Sequence, residues 1–181
     1  MSARCIFIDR DGVVNVERNY VHRIEDFEYV SGTPEAIARL NRAGWIVVVI
    51  TNQSGIGRGM YTEADYQRLT DHIRATLAEV GAHVDAFHHC PHAPDWNPPH
   101  GCDCRKPQPG LIHQAQRTLG LDLSQAVLVG DKRSDIEAGR AAGIPHCYLV
   151  ESGHGLNPGD RESADGVYPR LLDIVDRLLA E

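Results

Sequence analysis

Four acidic side chains follow two apolar segments and form the first candidate site. Asp9 and Asp11 come directly after CIFI, and Asp131 and Asp135 come after VLVG. A carboxylate at the end of a buried strand is costly unless a cation or a proton compensates its charge. Oxygen ligands with room for water and a phosphate oxygen suit Mg²⁺ better than a soft metal. The pattern indicates a hard-cation site, although Asp11-Gly12 by itself is equally typical of a turn.

Other polar residues are suited to holding a phosphate. Thr51 directly follows the run WIVVVI and offers a hydroxyl donor, and Lys106 offers a compact cation. Taken singly, such a Thr is usually a turn former and such a Lys is usually solvated. The Gly-containing segment 52–59 lets the backbone approach a ligand, and its Arg58 is a candidate contact for a second anionic group. A flexible loop is the alternative interpretation of that segment.

A second cluster combines thiols and imidazoles in a short segment. Its members are Cys90, His92, Cys102 and Cys104. Two close ligand pairs joined by a Pro-rich connection predict a tetrahedral three-Cys, one-His Zn²⁺ site. His89 and His100 are alternative fourth ligands, and reduced, solvent-facing cysteines are the alternative interpretation. A closed four-ligand site leaves no position for chemistry, so the predicted role of zinc is to stiffen the loop and orient the cations that follow it.

Alternating apolar runs and helical patterns must position these side chains. Strands are predicted at 5–8, 45–50, 84–88, 126–129 and 146–150. Helices are predicted to open at Thr33-Pro34, at Thr62 with Asp65, at Pro109, at Ser134 with Glu137, and at Pro169. This order predicts an α/β fold with an open, mostly parallel sheet covered on both faces. Ligands bind outside the carboxyl ends of such strands, so Asp9, Thr51 and Asp131, which follow three of them, are the first candidates for ligand contact.

Composition limits the function classes. A chain of 181 residues with 42% hydrophobic content fits one domain spanning 1–181. A net charge of −7 disfavours nucleic acid as a partner. No apolar run approaches membrane-spanning length, and five cysteines without an export signal favour a cytoplasmic protein. The polar connection 13–31 and the Pro/His/Cys-rich segment 90–108 are predicted to contact substrate.

Four segments together resemble the haloacid dehalogenase phosphatases. They are DRDGVVN at 9–15, ITNQSGIGRG at 50–59, CRKPQPG at 104–110 and VGDKRSDIEAGRAAGI at 129–144. Within that superfamily the chain resembles the capless branch of heptose bisphosphate phosphatases and histidinol-phosphate phosphatases. The resemblance implies a Rossmann-like sheet with no large cap domain, so that closure over the substrate falls to segment 13–31 and the zinc loop.

The same resemblance implies roles for individual residues. Asp9 would be the nucleophile that forms an aspartyl phosphate, and Asp11 the general acid and then the base. That dual task works best with a carboxyl pKa raised towards neutrality. The remaining implied sites are Mg²⁺ at Asp9, Asp131 and the main-chain carbonyl of Asp11, the phosphoryl group at Thr51 and Lys106, and further substrate contacts at Asn52, Arg105, Arg58 and Lys132.

The function implied is hydrolysis of the C7 phosphate of a heptose 1,7-bisphosphate, and we expect a monomer. Histidinol phosphate is the nearest alternative substrate, but a cationic substrate gains little from Arg105 and Arg58. A catalytically silent binding module is a second alternative, which the joint presence of buried acids, Thr51 and Lys106 disfavours. A phosphatase for nucleic-acid ends conflicts with the acidic composition.

Overall fold

One parallel sheet organises the chain in the computed structural model, which describes residues 3–96 and 101–180. Within these residues the sheet has six strands in the order β3-β2-β1-β4-β5-β6, and every neighbouring pair is parallel. The strands are β1 (Cys5–Ile8), β2 (Ile46–Asn52), β3 (Ala86–Cys90), β4 (Val127–Gly130), β5 (His146–Val150) and β6 (Gly166–Tyr168). The predicted α/β class and parallel sheet are therefore confirmed.

Helices connect the strands. They are α1 (Thr33–Arg42), α2 (Ser54–Gly57), α3 (Glu63–Glu79), α4 (Gly110–Leu119), α5 (Arg133–Ala141), α6 (Pro158–Ser163) and α7 (Leu171–Ala180), with 3₁₀ turns at Ile24–Asp26 and Leu123–Gln125. The α3 start follows its sequence signal, because Thr62 and Asp65 form a reciprocal capping box. No helix in the described part of the chain is both long and apolar enough to cross a membrane.

Alternation along the central strand divides the core into two layers. Ile6 and Ile8 belong to one buried cluster together with residues of α1, α3 and α7. Cys5 and Phe7 belong to the opposite cluster, with residues of α4 and α5. Because successive side chains of a strand point to opposite faces, a strand covered on both sides must be apolar throughout. The sheet is thereby fixed as a rigid base for the residues at its carboxyl edge.

Several predicted boundaries differ from the structure. The second strand continues through Asn52, so that Thr51 is part of the strand instead of following it. The third begins two residues late, because the Asp85 carboxylate accepts a hydrogen bond from the Val47 amide, 2.8 Å away, and the ladder starts beyond it. The sixth strand, GVY, was not predicted because three residues carry too little periodicity.

Some helix starts also differ from the prediction; the last helix, for example, begins at Leu171 instead of Pro169. The fifth helix begins at Arg133, and Asp135, not Glu137, caps its amides, because the Asp135 carboxylate accepts from the Lys132 amide at 3.1 Å. Glu137 instead pairs with Arg133 one turn away. The predicted loop 52–59 contains the helical turn α2, so it is more ordered than its Gly content suggests.

Candidate active site

The carboxyl ends of the central strands bring three acids and one lysine together. Asp9 follows β1, and Asp131 and Asp135 follow β4 beside it. The ammonium of Lys106 lies 3.0 Å from Asp9 Oδ1 and 2.6 Å from Asp135 Oδ1, and it also donates to the Ile50 carbonyl at 3.1 Å. All four side chains are buried. The sheet order therefore assembles residues that lie more than 120 positions apart in sequence.

Burial makes this group of carboxylates electrostatically demanding. Desolvation raises the pKa of Asp9 well above its usual value, and Lys106 opposes that rise only in part. Desolvation and the neighbouring Asp135 raise the pKa of Asp131 to about 6. Desolvation alone would lower the pKa of Lys106, but the nearby carboxylates of Asp135 and Asp9 outweigh it and raise that pKa. Lys106 therefore stays charged. One lysine does not balance three acids, so the site favours an additional cation.

The donor atoms also fit a hard cation. Asp9, Asp131 and Asp135 offer carboxylate oxygens within 4.8 Å of one another. Both Asp135 oxygens are engaged, one by Lys106 and the other by the Asp131 and Lys132 amides. Asp131 Oδ1, in contrast, is buried with no hydrogen-bond partner in the described structure. An unpartnered buried carboxylate oxygen facing another acid is the kind of ligand that Mg²⁺ takes.

Gly12 allows Asp131 to take this position. It has a φ of +91°, and a Cβ there would lie 2.3 Å from Asp131 Oδ2. Gly153, after β5, approaches the same oxygen as closely, with a Cβ position at 2.2 Å. His154 then donates its main-chain amide to Asp131 Oδ2 at 3.0 Å and places its Nδ1 2.6 Å away. The Asp131 carboxylate is thus held by two loops, whose glycines stand where a Cβ would collide with it.

Asp11 has a different environment. Its Oδ1 accepts from Arg10 Nη2 at 2.9 Å and from Asn15 Nδ2 at 3.1 Å, and its Oδ2 accepts from Gln53 Nε2 at 3.0 Å. Burial favours the protonated acid, but Arg10 and these hydrogen bonds outweigh it and hold the pKa of Asp11 below its usual value. The raised pKa that would suit a general acid is absent in the free protein.

The Cys/His cluster lies where β3 ends. The Cys104 and Cys90 Sγ atoms are 2.8 Å apart, and His92 Nδ1 lies 3.5 Å from Cys90 Sγ and 3.4 Å from Cys104 Sγ. Cys102 Sγ is 3.9 Å from Cys90 Sγ. Ligands at the corners of a zinc tetrahedron, ~2.3 Å from the ion, are separated by about 3.5–3.8 Å. The four donors converge closely enough for one zinc ion.

Of the two alternative imidazoles, His89 is the one that the structure describes, and it does not join this cluster. His89 stacks on Tyr66 and lies 2.7 Å from a Glu63 oxygen. His100 lies outside the described residues. His92 instead has its ring stacked on Trp96 with centroids 3.7 Å apart, which leaves Nδ1 facing the thiols. His92 is therefore the imidazole that the structure brings to the three cysteines.

A pocket of about 500 Å³ opens above the acids. Asp9, Asp11 and Lys106 line its floor, whereas Thr51 and Asp131 are buried below the surface. The other predicted contacts that line it are Asn52, Arg58, Arg105 and Lys132. Segment 13–31 contributes Glu17, Asn19 and Tyr20, and the Cys-rich segment contributes Pro94 and Arg105. The two segments predicted to contact substrate therefore both reach the pocket.

Comparison with known proteins identifies the family. The HAD-hydrolase-like family model matches residues 103–174. A D-glycero-alpha-D-manno-heptose-1,7-bisphosphate 7-phosphatase of Photorhabdus laumondii is 50% identical over 176 residues, covering 96% of this chain and 94% of that protein. The chain belongs to the haloacid dehalogenase-like hydrolases. A D-glycero-beta-D-manno-heptose-1,7-bisphosphate 7-phosphatase of Escherichia coli K12 is 39% identical, covering 96% of this chain and 92% of that protein.

Structures of haloacid dehalogenase-like relatives agree with the fold. The crystal structure of D,D-heptose 1,7-bisphosphate phosphatase from B. bronchiseptica, complexed with magnesium and phosphate, has a TM-score of 0.84 and 35% identity and covers 98% of both chains. The corresponding enzyme from Burkholderia thailandensis has a TM-score of 0.70 and 28% identity, with 98% of this chain and 99% of that one covered. The superfamily and the branch inferred from the motifs are confirmed.

Four residues at this haloacid dehalogenase-like site were missed by sequence reasoning. His154 follows β5, and inspecting the carboxyl end of that strand, as for β1 and β4, would have found it. Gln53 directly follows Asn52 and could have been found in the same way. Arg10 is 1% exposed and Tyr61 is 6% exposed. No sequence signal distinguishes these two from surface residues, because a charged Arg between two acids normally faces solvent.

Proposed function

We propose that this chain is a Mg²⁺-dependent phosphatase that removes the C7 phosphate of D-glycero-D-manno-heptose 1,7-bisphosphate. Relatives with this name match nearly the whole chain. The observation that carries the proposal is the pairing of Asp9 with Lys106 beside the unpartnered oxygen of Asp131, on the floor of a pocket edged by cations. A nucleophile, a cation and a carboxylate oxygen able to bind Mg²⁺ are the parts that phosphoryl transfer requires.

Asp9 is proposed as the nucleophile. Its carboxylate attacks phosphorus, the ester oxygen leaves, and water later releases phosphate from the aspartyl phosphate. Lys106, held between two carboxylates, would balance charge on the phosphoryl oxygens, and Thr51 is proposed as a hydroxyl donor to the same group. Mg²⁺, held by Asp9, Asp131 and the Asp11 carbonyl, would reduce the repulsion between carboxylate and phosphate.

Asp11 is proposed as the acid that protonates the leaving oxygen and as the base for the second step. Its pKa is lowered in the free protein by Arg10 and two amide donors. A bound phosphate brings negative charge next to this carboxyl, and like charge favours the protonated form. Substrate binding is therefore expected to raise the pKa of Asp11 towards the range a general acid needs.

The cations at the pocket edge are proposed to hold the second phosphate. Arg105 donates to the His92 carbonyl at 3.2 Å, so one nitrogen is anchored and the rest of the guanidinium faces the pocket. Arg58 and Lys132 are exposed at the same pocket. A guanidinium offers a planar set of donors that matches phosphate. This arrangement favours a bisphosphate over histidinol phosphate, which carries an amine in place of the second phosphate.

Zinc is proposed as a structural ion that fixes Arg105 and Lys106. Cys104 immediately precedes them, and His92 accepts the Arg105 hydrogen bond. From the other side, Asn52 and Lys106 exchange two hydrogen bonds, at 3.1 Å and 3.0 Å. A zinc ion at the Cys/His cluster would hold both ends of this connection, because its ligands include the residue before Arg105 and the residue whose carbonyl Arg105 contacts.

We further propose a preference for the α anomer. Photorhabdus laumondii has two relatives of this chain, and the one named for the alpha anomer is 50% identical whereas the one named for the beta anomer is 38% identical. The relatives named for the beta anomer in other bacteria are also near 39%. The anomeric carbon carries the phosphate that the edge cations are proposed to hold, so residues at that edge are expected to set the preference.

Phosphate release from purified protein tests these proposals. With Mg²⁺ present, the α and β heptose 1,7-bisphosphates and histidinol phosphate are compared at equal concentration, and ³¹P NMR shows which phosphate is lost. We expect loss of the C7 phosphate, the highest kcat/KM on the α bisphosphate, and little turnover of histidinol phosphate. Faster turnover of histidinol phosphate would contradict the proposed substrate.

A variant separates binding of the second phosphate from catalysis. Arg105→Ala should raise KM for the bisphosphate by about 10-fold or more while changing little for a heptose 7-monophosphate, because a charge-assisted bond is worth about 1.5–3 kcal/mol. Arg117→Ala, an exposed arginine on α4, serves as the matched control. Equal losses on both substrates would show that Arg105 supports the site without reading the second phosphate.

A further inference from the structure

Gln53 connects two residues of the proposed catalytic site. Its amide nitrogen donates to Asp11 Oδ2 at 3.0 Å and to Thr51 Oγ1 at 2.8 Å. Gln53 is 2% exposed, although Gln is usually a surface residue. A buried amide needs its partners, because an unsatisfied donor costs about 1–3 kcal/mol. Its position at the end of β2 therefore joins the acid of the first strand to the hydroxyl of the second.

Tyr61 fixes which way the Gln53 amide faces. The Tyr61 hydroxyl donates to Gln53 Oε1, and the Tyr61 ring stacks on His22 with centroids 4.6 Å apart. Gly55 makes room for that ring, because a Cβ there would lie 2.1 Å from a Tyr61 ring carbon. An ionised carboxylate only accepts hydrogen bonds, so the Gln53 nitrogen must face Asp11 and its oxygen must face a donor. Tyr61 is that donor.

The opposite oxygen of Asp11 is held just as firmly. Arg10 and Asn15 both donate to Oδ1, and Arg10 is itself anchored by the Val21 carbonyl at 2.6 Å. A carboxylate has about four acceptor positions, two on each oxygen. Side-chain donors of the described residues fill both positions of Oδ1 and one of Oδ2. The position that stays available for a proton is on Oδ2, next to the Gln53 amide.

We propose that Gln53, oriented by Tyr61, is a positioning residue that fixes Asp11 so that Oδ2 is the atom that transfers the proton. This inference rests on the proposed phosphatase function. As Asp9 forms its bond to phosphorus, the bond to the ester oxygen breaks, and that oxygen takes its electron pair and the proton of Asp11 Oδ2. In the second step water attacks phosphorus and gives a proton back to Oδ2, while the Asp9–phosphorus bond breaks.

The leaving group reveals whether Gln53 acts through Asp11. A sugar alkoxide needs a proton as it departs, whereas nitrophenolate is stable as an anion and does not. The constant kcat/KM reports the steps up to the first irreversible bond cleavage, so hydrolysis of the aspartyl phosphate does not enter it. A residue that only supports folding or phosphate binding would affect alkyl and nitrophenyl phosphates alike.

Gln53→Met keeps the volume of the side chain and removes both polar atoms. We expect kcat/KM to fall about 10–100-fold on heptose bisphosphate and less than about 3-fold on p-nitrophenyl phosphate, since general acid catalysis contributes about 10²–10⁴-fold. Tyr61→Phe keeps the ring but removes the hydroxyl that orients the Gln53 amide. We therefore expect kcat/KM on heptose bisphosphate to fall about 3–10-fold, again with a smaller loss on p-nitrophenyl phosphate. Asp11→Asn should show the largest selective loss, and Thr51→Val an equal loss on both substrates.

Tyr29→Phe is the matched control, because its hydroxyl also shares a hydrogen bond with a partly buried side chain, that of Thr76, but does not line the pocket. Equal losses on the two substrates, or no loss, in folded Gln53→Met would overturn the inference. If that variant does not fold, the ratio of the losses on the two substrates in Tyr61→Phe decides by the same criterion.

The wild-type protein separates failure of the proposed substrate from failure of the inference. If it hydrolyses nitrophenyl phosphate and glycerol 3-phosphate but not heptose bisphosphate, only the proposed substrate is refuted. Glycerol 3-phosphate then replaces heptose bisphosphate as the alkyl phosphate in the comparison. Hydrolysis of none refutes both proposals.

Discussion

The two candidate metal clusters are built in different ways. Asp9, Asp131 and Asp135 lie at the ends of central strands or at a helix start, and all three are buried. In the Cys/His cluster only Cys90 belongs to a strand, and the other three residues lie outside the helices and strands and are partly exposed. The sheet holds the acids in place. The segment that carries the Cys/His cluster is held by hydrogen bonds and by the contacts of the four cluster residues with one another.

This difference leads us to propose different roles for the two metal ions. The acids are positioned by the fold and repel one another, so a cation relieves strain that the fold imposes. Apart from Cys90, which ends β3, the thiols and the imidazole are not held by strands, so a cation would supply order that the fold lacks. Removing magnesium should therefore stop the chemistry and leave the structure, whereas removing zinc should loosen the structure around the pocket.

The largest effect is expected from Asp9→Asn, which changes the acid cluster without disturbing the sheet. Turnover should fall at least about 1,000-fold, because the nucleophile is lost. The melting temperature should stay the same or rise, since one buried carboxylate is removed and Lys106 keeps Asp135 as a partner. Activity assays and thermal unfolding check both. Asp173→Asn, an acid in the first turn of α7, is the control. A folded Asp9→Asn variant with full hydrolysis would refute the aspartyl-phosphate mechanism.

An intermediate effect is expected from Cys104→Ser or from displacing zinc with a mercurial reagent. Bound zinc should fall from one per chain to none, kcat/KM should drop by about 10-fold or more, and proteases should cut within 91–104. The far-UV spectrum should persist, because the central strands do not depend on this loop. Zinc content, kinetics and limited proteolysis are the measurements.

The comparison for that experiment is Cys147→Ala, which removes a buried thiol of β5 outside the cluster. It should keep both zinc and activity. If thorough zinc removal left folding and turnover unchanged, the two clusters would not differ in the way proposed, and the structural role of zinc would be wrong.

The smallest effect is expected where the two regions meet. Asn52→Ala removes both hydrogen bonds that join the end of β2 to Lys106. Unfolding free energy should decrease by about 1–3 kcal/mol, and kcat/KM should fall several-fold as Lys106 loses its main-chain support. Asn41→Ala, which removes one comparable bond to the His83 amide far from the pocket, should lower stability by about 1 kcal/mol and leave activity unchanged. Unchanged activity in both variants would mean that Lys106 is held by Asp9 and Asp135 alone.

The sequence predicted the fold most accurately where periodicity was strongest. The first and fifth strands have the predicted bounds, and the capping box at Thr62 starts α3 as expected. The errors came from weak local signals. The three-residue β6 was not predicted, and the start of α5 was assigned to a capping pair of Ser134 and Glu137, although Asp135 provides the cap. Asp135 takes that role because its carboxylate is already held beside the Asp131 amide by the close approach of Gly130.

The sequence alone determined which chemistry was available. Acids after apolar strands, a lysine after a Cys-rich segment and the parallel-sheet pattern follow from local composition and spacing, because strand ends of a parallel sheet share one edge. Tertiary structure decided how those groups act on one another. The Gln53–Tyr61 contact, the burial of Arg10 and the His154 contact with Asp131 arise from loops that come together only in the folded chain. Proton affinity depends on such neighbours, and no spacing along the chain encodes them.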